Sequence, residues 1–152
     1  MSDALPGSGR MDGRAHRFPV RVYYEDTDAA NVVYYANYLK FVERARTEMM
    51  RLFGYGHGGM RDLDGLAFAV RHCTADYRRP AHLDDALVVV SRVTAMSAAR
   101  MRMVQAVTRD GETLVTVTVD LVCLRPDGRP GRIPAALREA LADHIDPGQP
   151  EQ

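Results

Sequence analysis

The chain has no tryptophan, only two cysteines and no excess of charge of either sign, and each shortage narrows what it can do. Lys plus Arg number 20 and Asp plus Glu number 20, for a formal net charge of zero. A neutral balance supplies no long-range pull toward nucleic acid or an anionic membrane, so any anionic ligand must be met locally. The longest apolar runs, at residues 65–70 and 86–90, fall far short of the roughly 20 residues that a membrane-spanning helix needs. No stable membrane insertion is therefore expected. The N-terminal stretch has Gly, Ser, Pro and charge where a signal peptide would carry an apolar core, which favours a cytoplasmic location. Cys73 and Cys123 belong to no CxxC pair or Cys/His cluster; each sits in an apolar, strand-like stretch and reads as a buried thiol in a reducing compartment. The histidines His16, His57, His72, His82 and His144 show no paired metal-ligand spacing, so no metal is expected.

What remains is an ordinary globular composition: 152 residues, 46% hydrophobic and 26% charged, enough for one domain with one core. Residues 1–16 lack apolar periodicity and are expected to form a flexible tail, as are residues 147–152, leaving 17–146 as the domain. Residues 18–24 read as a strand, and Pro19 suggests that it begins at a sheet edge. Between residues 35 and 53 the apolar positions Tyr38, Phe41, Val42, Ala45, Met49 and Phe53 recur in steps of three and four, which predicts one long amphipathic helix stopped at Gly54. Four strand-like runs follow, at 66–77, 86–95, 100–108 and 113–125. Asp110-Gly111 is a two-residue hairpin signal, and Pro126-Asp127-Gly128 is a turn. Short connections predict an antiparallel meander, and Pro134 opens a short terminal helix. The fold class is α+β, one long helix covering a curved antiparallel sheet of about five strands.

The segment Glu25-Asp26-Thr27-Asp28, just before the long helix, places three carboxylates within four positions. A helix start offers free N–H groups and partial positive charge, so a carboxylate beside it makes acyl transfer chemically feasible. Spacing alone is equally met by Asp28 or Asn31 acting as a helix cap or turn residue.

The run from residue 20 to about 56, with EDTD followed by AANVVYYANYLKFVERARTEM, resembles the signature of the 4-hydroxybenzoyl-CoA thioesterase family. It looks most like the branch of acyl-CoA thioesterases associated with the Tol-Pal system. Asp76-Tyr77-Arg78-Arg79-Pro80-Ala81 is similar to that family's turn between central strands. The resemblance implies a hotdog fold, assembly as a homodimer or homotetramer, hydrolysis of an acyl-CoA to free acid and CoA, and no cofactor. It places the catalytic carboxylate at Asp28, as nucleophile or general base, and the oxyanion donor at the backbone N–H of Tyr35. Asn31, Val33 and Tyr34 fall on the substrate-binding stretch. The Tol-Pal branch commonly has Gly at Asn31 and His at Tyr35, so a mechanism needing an imidazole there cannot operate in this chain.

Arg78 and Arg79 are candidates for the CoA phosphates, with Arg100 or Arg102 as further choices, because guanidinium forks suit phosphate oxygens. Glu25 and Asp26 are expected to be surface acids. Glu43 and Glu48 are explained by helix-surface pairing without a catalytic role. Met49, Met50, Met101 and Met103 fall on core faces and also suit the lining of an acyl tunnel. The rival reading is a non-catalytic module that binds acyl-CoA or an acyl carrier protein. Against it stands the cost of burying a carboxylate that a pure binder does not need. A hotdog hydratase ranks lower, since no histidine adjoins Asp28 in the sequence.

Overall fold

The computed structural model describes residues 3–56 and 65–148. The elements are β1 (Arg10–Asp12), β2 (Ala15–Arg21), α1 (Asn37–Leu52), β3 (Ala67–Tyr77), β4 (Ala86–Met96), β5 (Arg100–Arg109), β6 (Glu112–Leu124) and α2 (Ala135–Ala142). The strands form one antiparallel sheet in the order β1-β2-β4-β5-β6-β3, with α1 packed on it.

Alternation decides the faces. In β6 the residues Val115, Val117, Val119, Leu121 and Cys123 point inward and are buried, and Met101, Met103, Gln105 and Val107 do the same in β5. They meet the α1 stripe of Tyr38, Phe41, Val42, Ala45, Met49 and Met50, all buried. Full burial of each large side chain contributes about 1.5–3 kcal/mol, which is why a helix with a single apolar stripe stays on this face. The stop at Gly54 takes the form the sequence suggests. Its φ is 84°, Tyr55 N–H reaches Met50 O at 2.9 Å and Gly54 N–H reaches Arg51 O at 3.0 Å, the paired bonds of a Schellman ending. At the β5–β6 turn, Asp110 and Gly111 both have positive φ, 52° and 81°, as the tight hairpin requires.

Three expectations need correction. Residues 10–16 are not tail: β1 and the start of β2 form a hairpin in which Arg10 pairs with Arg17 and Met11 with His16. Backbone pairing and the full burial of His16 hold this segment without apolar periodicity, and β1 is the sixth strand. The four later strands are not a simple meander. β3 pairs with β6 at the far edge, and β4 pairs with β2 and β5, so the link from Tyr77 to Ala86 crosses over two strands. Cys73 is exposed, while Cys123 is buried; β3 is an edge strand with nothing outside it, so its apolar composition does not bury it. Pro19 agrees with an edge, because β1 ends opposite Arg17 and leaves the stretch beyond it unpaired on that side. His57 lies outside the described residues. No helix among the described residues is long and apolar enough to cross a membrane.

Candidate active site

The segment before α1 is a short, tightly closed loop. Thr27 bridges Val33, Asp28 N–H donates to Val32 O at 2.9 Å, and Asn31 N–H donates to Asp28 O at 3.0 Å. Asn31 takes φ 62°, the left-handed region where Asn is the best tolerated residue after Gly. The Ala30 N–H donates to Asp28 Oδ1 at 2.8 Å. One carboxylate oxygen therefore orients the side chain, and the other has no bond among the described residues.

Asp28 is exposed in the single chain, so the desolvation argument against a pure binder does not hold there. The buried acid is Asp26, only 4% exposed, contrary to its assignment as a surface group. Its Oδ2 accepts the Tyr23 N–H at 2.8 Å, its Oδ1 accepts Asn37 Nδ2 at 3.0 Å, and its carbonyl accepts the Tyr34 N–H at 2.9 Å. With a donor on each carboxylate oxygen, burial of this carboxylate is supportable. It ties the loop to the first turn of α1. Asp26 and Asn37 were not legible as positioning residues, because an acid among acids looks solvated until its partner eleven positions on is brought beside it.

At the start of α1, Tyr35 N–H has no acceptor among the described residues, whereas Tyr34 N–H and Asn37 N–H are both bonded. The Tyr35 carbonyl is fixed from the other side by the Tyr77 phenol, which donates to it at 3.0 Å. Tyr34, Tyr35, Tyr77 and Tyr38 form a continuous aromatic wall with ring centroids 4.9–6.2 Å apart. The Tyr38 hydroxyl accepts the Ala81 N–H at 2.9 Å. Its phenol is pushed up by burial, Tyr77 likewise, and Tyr34 is raised chiefly by the adjacent Tyr35. All three stay neutral at ordinary pH, which leaves carboxylates as the bases in this neighbourhood.

Val33, Tyr35, Tyr38, Tyr77, Arg78, Arg79 and Pro80 line a cleft of about 250 Å³. The structure thus brings together Tyr35, Val33, Arg78 and Arg79 from the expected set, but does not place Asp28, Asn31 or Tyr34 on that lining. Arg78 pairs with Asp76 at 3.3 Å and Arg79 with Glu112 at 2.9 Å, with all four side chains largely exposed. Arg102 forks onto Asp120 at 2.7 and 3.2 Å and lies with Arg100 and Arg71 in a separate hollow. Tyr77, missed as a site residue, could have been suspected only from its place just before Arg78 and Arg79.

A second cavity, about 150 Å³, lies under the C-terminal half of α1 among Met50, Tyr55, Phe68, Val70, Met101, Met103 and Leu121, with Glu43, Arg46 and Thr47 completing it. Three of the four methionines suggested for a tunnel are therefore at one cavity, and Met49 is core. No group of His, Cys, Asp and Glu suited to a metal occurs among the described residues.

Residues 22–141 match the family described as the thioesterase-like superfamily. The chain belongs to the thioesterase-like superfamily. This thioesterase-like protein is 38% identical over 135 residues to the acyl-CoA thioester hydrolase YbgC of Escherichia coli, covering 85% of this chain and 100% of that one. It is 40% identical over 124 residues to the acyl-CoA thioesterase YbgC of Haemophilus influenzae, covering 78% and 91%. A probable thioesterase from Bartonella henselae superposes with a TM-score of 0.76 at 36% identity, over 79% of this chain and 99% of that one. The thioesterase-like protein has the hotdog fold that the sequence implied, with six strands in place of about five.

Proposed function

We propose that this protein hydrolyses an acyl-CoA thioester to the free acid and CoA, using Asp28 and the backbone N–H of Tyr35. The observation that carries this reading is the Tyr35 N–H, without an acceptor among the described residues just before α1, with the next peptide along, Tyr35–Ala36, held at its carbonyl by Tyr77. A free amide beside a helix start is suited to the oxyanion that forms when a thioester carbonyl is attacked. Asp28, with one oxygen anchored and one free, either attacks the carbonyl carbon and expels the CoA thiolate, leaving a mixed anhydride that water then cleaves to free acid and Asp28, or takes the proton from a water that attacks the carbonyl directly. Both routes end in acid and CoA, and neither needs a cofactor. Likeness to the YbgC relatives supports the same chemistry.

Asn31, Val33 and Tyr34 shape the loop beside the thioester, and Arg78 and Arg79 meet the CoA phosphates at the cleft. The acyl group lies along the α1–β3 crevice. We place the protein in the cytoplasm, in the Tol-Pal-associated branch, with acyl-CoA ahead of acyl carrier protein as substrate carrier. A second copy pairs along β3, an eleven-residue edge strand whose unpaired backbone is a ready template for another strand. Further association gives a tetramer. The flat exposure of Asp28 in one chain favours this pairing, since a partner would shield it from bulk water.

The test is thiol release from short-chain, long-chain and aromatic acyl-CoAs by wild type and Asp28→Asn. Turnover of at least one class, cut about a hundredfold or more by the substitution, is expected for loss of a positioned catalytic group. No release by wild type, or an undiminished Asp28→Asn rate, moves the binding module to the front.

A further inference from the structure

Asp26 is buried two residues before the exposed Asp28, and the chemistry above makes no use of it. Every polar atom it has is committed. Its N–H donates to Tyr23 O at 3.0 Å and its carbonyl accepts the Tyr34 N–H at 2.9 Å. Its Oδ2 takes the Tyr23 N–H at 2.8 Å, and its Oδ1 takes Asn37 Nδ2 at 3.0 Å. The carboxylate therefore bridges the residue before the turn at Tyr24–Asp26 and the first residue of α1, and Asp28 and Tyr35 both lie on the stretch between them.

The bond to Asn37 bears on one peptide in particular. Asn37 N–H donates to Tyr34 O at 2.8 Å, and the Tyr34 carbonyl belongs to the same planar unit as the Tyr35 N–H. Holding Asn37 thus holds the plane whose other end is the Tyr35 amide. Asp26 grips Tyr34 from both sides: directly, by accepting its N–H, and through Asn37 at the peptide that ends in the Tyr35 N–H. The Tyr77 phenol acts instead on the next peptide along. Backbone bonds alone can close a loop without a buried charge, and taking a carboxylate out of water costs several kcal/mol. What the charge adds is stiffness at Asn37, since a charge-assisted hydrogen bond is roughly twice as strong as a neutral one.

We infer that Asp26 is a positioning residue for the hydrolysis, acting through Asn37 on the direction of the Tyr35 N–H. This rests on the thioester-hydrolysis reading and deepens it. Asp28 supplies the attack, and Asp26 sets where the oxyanion donor points. Misplacing an aligned group by about 1 Å can cost a hundredfold in rate, so a slack Asn37 is felt in turnover before it is felt in substrate binding.

The experiment measures kcat and KM for thiol release, together with melting temperature, in wild type, Asp26→Asn and the exchange Asp26→Asn/Asn37→Asp. The substrate is whichever of the short-chain, long-chain and aromatic acyl-CoAs wild type turns over fastest. Asp26→Asn keeps an oxygen for the Tyr23 N–H and leaves only a neutral bond toward Asn37; kcat is expected to fall roughly tenfold to a hundredfold, with a much smaller change in KM. The exchange variant, with the charge on the helix side of the same pair, is expected to recover most of the lost kcat. In an Asp28→Asn background, where bound thioester persists, adding Asp26→Asn should move the infrared band of its carbonyl toward the free-solution position. A role confined to folding lowers the melting temperature but leaves kcat and that band in place, and this result overturns the inference. An exchange variant that regains its melting temperature without its kcat overturns it too. Should Asp26→Asn fail to fold, Asn37→Ala, which cuts the same bond from the helix side and leaves the Tyr23 bond intact, is read for the same kcat and band. Thiol release that Asp28→Asn abolishes and Asp26→Asn leaves untouched removes this inference alone; no release by wild type removes the hydrolysis reading with it.

Discussion

Asn31 and His16 are two residues whose surroundings make opposite demands. At Asn31 the backbone is left-handed, φ 62°, so Asn31→Gly is expected to leave thermal stability unchanged or slightly raised. Asn31→Val should cost about 1–2 kcal/mol, the penalty for a branched residue in that region, read from a denaturation midpoint. His16 is fully buried, with its Nε2 hydrogen on Ser8 O at 2.7 Å. A second proton must go on Nδ1, which is buried without a partner. Burial lowers its pKa, opposed by the Ser8 bond and the charge of Glu48. Because the folded value lies below the unfolded 6.5, the contribution is complete above that pH and is lost as pH falls through it. Urea unfolding from about pH 8 to about pH 5 should show stability dropping through this range. In His16→Phe that part of the acid limb should disappear; a wild-type profile flat across the window would count against it.

Among the elements, those whose signals are local were the most legible. α1 shows its stripe, its polar face and its glycine stop in consecutive residues, and the observed Asn37–Leu52 falls inside the span that the periodicity indicates. The β5–β6 hairpin is written in Asp110-Gly111, and Gly111→Ala, at φ 81°, is expected to destabilise by about 1 kcal/mol in the same assay. β1 was illegible because three residues of pairing leave no period to detect. The strand order was illegible because β3 and β4 are neighbours in sequence, and nothing in the eight-residue link between them states that it crosses the sheet. The same limit applied to the site. Asp28 and Tyr35 were read through resemblance to a family, whereas Tyr77 and Asn37 became visible only once distant elements were adjacent. Tyr77→Phe, which removes the hydroxyl holding the Tyr35 peptide at 3.0 Å, should lower kcat severalfold with a smaller change in KM. Equal kcat would mean that the clamp is not needed.

For the whole molecule, the decisive asymmetry is between a well-buried inner face on β4 to β6 and an open β3. Val70 faces inward yet is 51% exposed, which is the mark of a surface finished by something else. Sedimentation of wild type is expected at the mass of at least two chains, and Val70→Glu should shift it toward one, with activity falling in parallel. A monomeric wild type would remove the basis for shared shielding of Asp28. The crossing link from Tyr77 to Ala86 carries one more consequence, concerning time. Val33 N–H bonds Ala81 O at 2.9 Å, Val32 bridges His82, and Arg78 N–H bonds Leu114 O at 2.8 Å. The Asp28 loop is thus moored to a span that is itself moored to the start of β6. A chain still emerging from the ribosome can form α1 early, but it has no fixed Asp28 loop until β6 has been made. Amide hydrogen exchange at Val33 should accordingly match that of Arg78 and the β6 strand, not that of the helix next to it in sequence.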